Sequence, residues 1–132
     1  MNTTRIMTLV TLIVASGLTL HTTQAQLAGT RRIDLQRHDL SVPGREVIQA
    51  RVEIDPGVAF PRHSHPGEEI IYVLEGSFDY RVGGRPVSLH AGEVLFIPAG
   101  TVHSARNVGG GTAVELATYI VEKGRPLLEL VR

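Results

Sequence analysis

From Arg31 onward, polar and apolar residues alternate with a period of two, and Gly, Pro or Asp interrupts them roughly every ten residues. In "VIQARVEI", Ile48, Ala50, Val52 and Ile54 fall on one side; Gln49, Arg51 and Glu53 fall on the other. Side chains two apart share a face in an extended strand, so this segment predicts a half-buried strand. "DPG" at Asp55–Gly57 closes it with a turn. "SFDYRV" repeats the pattern with Phe78, Tyr80 and Val82 inward, and Gly83-Gly84 predicts a tight hairpin into "RPVSLH". "TAVELATYIVE", from Thr112 to Glu122, predicts a long strand near the C-terminal end, and "RRIDLQRHDL" is read as a strand as well.

Two segments break the alternation. "IIYVL" (Ile70–Leu74) and "VLFI" (Val94–Ile97) are apolar at every position. Such strands need cover on both faces, from a second sheet or from a partner subunit, and a homodimer is the expected partner arrangement. No segment keeps a helical period beyond two turns. The expected fold class is all-β, a sandwich or barrel of short strands.

Composition narrows the function. The chain has 132 residues, with 13 basic and 13 acidic side chains, which bounds it to one domain. That balance, without a Lys/Arg run, argues against nucleic acid as a partner. Residues 1–25 read as a secretory signal peptide. Arg5 precedes an apolar stretch, Ile6–Leu20, and polar "HTTQA" follows, with cleavage expected after Ala25. The apolar stretch falls short of the ~20 residues that span a bilayer, so no stable membrane anchor is expected once the leader is removed. Residues 26–132 are then a single exported domain, periplasmic or secreted. Without cysteine, it can form neither disulfides nor a cysteine lipid anchor.

Candidate chemistry lies in "HSHPGEE". His63 and His65 share a strand face, Pro66-Gly67 turns the chain, and Glu69 opens the next strand. Neutral imidazoles and a carboxylate suit divalent first-row metals. Farther on, "PAGTVHSARN" puts a turn at Pro98 and Gly100 ahead of His103, which can reach the same cavity. Each piece alone also fits a solvated loop.

Together the two stretches carry a specific spacing. Gly57, His63, His65, Glu69 and Gly76 form one set, and Gly92, Pro98, Gly100, His103 and Asn107 the other. These ten positions resemble the two motifs of the cupin superfamily at each defining residue, across 57–107, with the short spacer of compact single-domain members. The resemblance implies a small jelly-roll β-barrel (a double-stranded β-helix). It also implies one divalent transition metal, manganese, iron, nickel, copper or zinc, held by His63, His65, Glu69 and His103. The motif glycines and Pro98 are expected to serve turns, and Asn107 a structural hydrogen bond.

Cupins span oxygenases, decarboxylases, isomerases, lyases and non-catalytic binders. The expected function is therefore a metal-dependent enzyme acting on a small organic substrate. The alternative is a non-catalytic ligand-binding or metal-sensing module. Catalytic residues beyond the ligands are not identified. Ile71 and Val73 share the face of Glu69, so an apolar cavity wall is expected. His38 and His90 are read as exposed loop residues and Glu68 as solvated. Glu115 and Arg106 are read either as a polar pair beside the cavity or as surface residues.

Overall fold

The computed structural model describes residues 27–132. The expected leader, its cleavage point and His21 lie outside them. Ten strands follow one another: β1 (Thr30–Asp39), β2 (Arg45–Ile54), β3 (Ala59–Ser64), β4 (Gly67–Glu75), β5 (Ser77–Val82), β6 (Arg85–His90), β7 (Val94–Ile97), β8 (His103–Asn107), β9 (Ala113–Glu122) and β10 (Glu129–Leu130). They form two five-stranded sheets, ordered β1-β2-β9-β4-β7 and β10-β3-β8-β5-β6, with antiparallel pairing throughout. The inner orders 2-9-4-7 and 3-8-5-6 are those of a jelly roll, with β1 and β10 each added at one edge.

The period-two segments lie where their pattern requires. On β2, Ile48, Ala50, Val52 and Ile54 are buried; on β5, Phe78 and Tyr80 are. Gly83 and Gly84 both adopt positive φ, as a two-residue hairpin between Val82 and Arg85 demands. The four motif glycines, Gly57, Gly76, Gly92 and Gly100, also have positive φ, so they serve the turns between strands. Gly67 is required for another reason. A Cβ there would lie 2.0 Å from the carbonyl oxygen of Ile120, so a side chain would push β4 off β9.

Phe78, Val73, Ile97, Leu89 and Ala113 belong to the packed core between the sheets. Asn107, fully buried beside them, donates from Nδ2 to the carbonyls of Ile54 (2.8 Å) and Gly111 (2.7 Å), and its Oδ1 accepts from Gly109 N–H at 2.9 Å. Its expected structural role holds. It ties the end of β2 to the loop before β9.

Burial of both faces of "IIYVL" and "VLFI" is not met within one chain. The second sheet covers Ile71, Val73 and Ile97, but Ile70, Tyr72, Leu74, Val94 and Phe96 are 37–64% exposed on the outer face of β4 and β7. Sheet-on-sheet packing covers one face of each sheet only. His38 and His90 are exposed as expected, but they lie in strands β1 and β6 rather than in loops.

Candidate metal centre

The four expected ligands come from three strands and one turn. His63 is near the end of β3, and His65 follows in the turn to β4. Glu69 is on β4 and His103 opens β8, paired across from His63. One donor atom from each of His63, His65, Glu69 and His103 lies within 4.8 Å of the others, and all four residues are buried. Glu69 Oε2 is 2.9 Å from His103 Nε2 and 3.3 Å from His65 Nε2.

The imidazoles are oriented from behind. The Nδ1 of His63 lies 2.7 Å from the Pro61 carbonyl oxygen, that of His65 2.6 Å from Leu127 O, and that of His103 2.9 Å from Thr101 O. A carbonyl oxygen only accepts, so each Nδ1 carries a proton and each Nε2 is the nitrogen turned toward the centre, available to a metal once deprotonated. His65 Nε2, His103 Nε2 and Glu69 Oε2 are buried and make no aligned hydrogen bond, despite the short separations. Buried polar atoms without partners are costly, and a shared cation would satisfy all three at once. The donor set therefore fits a divalent metal.

The electrostatics agree. Burial alone would raise the Glu69 carboxyl, but contact with His103 and His65 outweighs it and holds the group down at about 2. Burial lowers His63 to about 4, helped by the neighbouring His103. Burial also opposes the charge on His103, but contact with Glu69 prevails and raises it.

Around this cluster is a cavity of about 470 Å³. Val52, Ile54, Phe60, Ile71 and Ala105 line it, so the expected apolar wall is present; Val73 is in the core instead. The edge strands β1 and β10 contribute Arg32 and Leu130 to the lining. Tyr119, opposite Glu69 on β9, packs edge-to-face with His65 with ring centroids 4.8 Å apart, and the Arg32 guanidinium lies over the Tyr119 ring, 5.6 Å from its centroid.

Of the two places expected for Glu115, the structure gives the one beside the cavity, but with a different partner. Glu115 is not paired with Arg106, whose guanidinium is exposed and donates to the Gly57 carbonyl oxygen at 3.2 Å. Glu115 is buried, lines the cavity, and accepts a hydrogen bond from the Tyr80 hydroxyl. Burial, reinforced by the charge of Glu69, raises its carboxyl to about 8. The signal was available. In "AVELATYIV", Ala113, Glu115, Ala117, Tyr119 and Val121 share the inward face, which makes Glu115 the single charged residue in an apolar register.

The cupin-domain family model matches residues 50–121, which include both sets of motif residues near the cluster. The chain belongs to the cupin superfamily. Among curated proteins, this cupin is 37% identical over 73 residues to the oxalate-binding protein of Thermotoga maritima, an alignment covering 54% of this chain and 60% of the relative. It thus spans only about three-fifths of that relative's length. Among solved structures, the polyketide cyclase RemF of Streptomyces resistomycificus is 30% identical, with a TM-score of 0.63 and coverage of 80% of this chain and 72% of that one. A recombinant oxalate oxidase in complex with glycolate is 26% identical, with a TM-score of 0.62 and coverage of 80% and 57%.

Proposed function

We propose that this cupin binds one divalent transition metal through His63, His65, Glu69 and His103, and that the bound ion makes it an enzyme acting on a small organic substrate. The observation that carries the reading is the convergence of four buried donor atoms, three of them without aligned partners. A bound ion there would supply Lewis acidity toward an oxygen of the substrate. The protein's own contribution is orientation. Three backbone carbonyls fix the imidazoles, and the apolar lining excludes water from the face where substrate lies. Oxygenase, decarboxylase, isomerase and lyase chemistry all fit this arrangement, and manganese, iron, nickel, copper and zinc all suit its ligands.

The second reading is a non-catalytic binding module. It is favoured by the similarity to a protein named for binding oxalate. Elemental analysis of the purified chain tests the metal. One equivalent of ion, lost in His65→Ala and His103→Ala, is the expected result; folded protein without metal overturns it. Metal-loaded protein that binds small acids without consuming them supports the second reading.

Export and self-association complete the proposal. Arg5 and the apolar stretch after it support export, and a mature N-terminus at Gln26, found by sequencing the secreted protein, is expected. The open apolar face of β4 and β7 supports a homodimer.

A further inference from the structure

Three buried carboxylates besides Glu69 are found among the described residues, and two of them are paired with cations. Arg37 holds Glu46, while Arg31 and Arg51 hold Glu53. Glu115 has no such partner; its company is the buried hydroxyl of Tyr80. A carboxyl group without a cation is expensive to bury, and an apolar residue would serve the core better. Both Glu115 and Tyr80 line the same cavity as the metal ligands.

Their position within it is specific. On β9, Glu115 lies four residues from Tyr119, which is paired with Glu69. At ~3.4 Å per residue the two levels are about 14 Å apart along the backbone. On the facing sheet Tyr80 pairs with Ala105, two residues along β8 from His103, and at ~3.4 Å per residue those levels are about 7 Å apart, the length of one substituted ring. Val73 is paired with Glu115, and with Ala113 and Phe78 it belongs to the packed core. Apart from Thr30, Arg32 and Asp34 on β1, the charged and hydrogen-bonding lining is the His/Glu cluster with Tyr119 beside it and the Glu115–Tyr80 pair, and Ile54, Ile71 and Ala105 are among the apolar residues of the same cavity.

The geometry points to Glu115 and Tyr80 as a second anchor for the substrate, one that reads a hydroxyl on a ring-sized apolar frame whose other oxygen group meets the metal. This rests on the metal reading above and adds the substrate class to it. The carboxyl group can serve in either protonation state, accepting from a hydroxyl when ionised and also donating to it when neutral. A two-carbon diacid would reach only the cluster or only the pair. A cavity of about 470 Å³ is in the range that encloses a whole small ligand.

Calorimetry on manganese-loaded full-length chain tests this with three probes: 4-hydroxybenzoate, benzoate and oxalate. Metal content is measured first. Wild type is expected to bind 4-hydroxybenzoate roughly tenfold more tightly than benzoate, the effect of one hydrogen bond to a buried group. In Glu115→Met, close in volume and without hydrogen-bonding capacity, that ratio should fall to near one while oxalate affinity stays unchanged. Tyr80→Phe should reduce the ratio too, and it decides the question if the methionine variant does not fold. A ratio near one in wild type, or one preserved in both variants, overturns the inference. Failure of both ring acids to bind metal-loaded protein also overturns it, and leaves the metal reading intact. A chain that takes up no manganese or other divalent ion fails at the metal reading instead.

Discussion

Burial raises the Glu115 carboxyl, while contact with Glu69 raises His103 against its own burial, and each leaves a trace in pH. The Glu115 carboxyl is raised from 4.5 to about 8, so the folded chain holds its proton over a range where the unfolded chain has released it. That contribution to stability is fully present below pH 4.5 and is lost as pH rises toward 8. Denaturant titrations of metal-free protein should show wild type losing stability relative to Glu115→Gln across that window. His103 is raised by Glu69, so metal binding near neutral pH should release a proton. Calorimetry in buffers of different ionisation enthalpy should detect it. Asn107→Ala should cost about 3 kcal/mol in urea unfolding, because Ile54 O, Gly111 O and Gly109 N–H lose their partner inside the fold. At this scale the clustered His63, His65, Glu69 and His103 were readable from the sequence, since residue type and spacing survive as text. Glu115 was legible only through parity. Its significance depends on which face of β9 meets the cavity, and that follows from pairing with strands more than 30 residues away.

Among the elements, β4 and the segment after β9 support a cluster whose other donors come from β3, the turn after it and β8. Gly67 lets β4 lie against β9, and Gly67→Ala should destabilise the fold by about 3 kcal/mol through overpacking, measured by thermal or denaturant unfolding. β10 pairs with β3 beside His63, and Leu127 O accepts from His65 Nδ1. Deleting residues 124–132 removes that acceptor and should weaken metal affinity about 10–100-fold, read by competition with a chelator. The alternating segments β2 and β5 and the Gly-Gly hairpin were legible because strand period and turn chemistry are local. The role of Leu127 was not. The contact joins positions 62 residues apart through a main-chain oxygen, and no side-chain pattern encodes that.

For the whole molecule, the open question posed by the fold is the outer face of β4 and β7. Ile70, Tyr72, Leu74, Val94 and Phe96 form a continuous apolar strip there, with Ile70 paired to Phe96 and Tyr72 to Val94. Phe96→Glu should convert a dimer to a monomer in size-exclusion with light scattering, without changing metal content. The sequence showed that these strands wanted cover on both sides, but it could not separate cover by the second sheet from cover by another chain. The three Nδ1 acceptors have a consequence of a different kind. Each is a main-chain oxygen, from Pro61, Thr101 and Leu127, so no amino-acid exchange deletes it. Side-chain exchanges at these three positions leave the imidazoles aimed, whereas a one-residue insertion between Glu122 and Leu127 should swing His65 away from Glu69 and His103. Loop length, more than residue identity, then governs whether His65 stays aimed at its three neighbours.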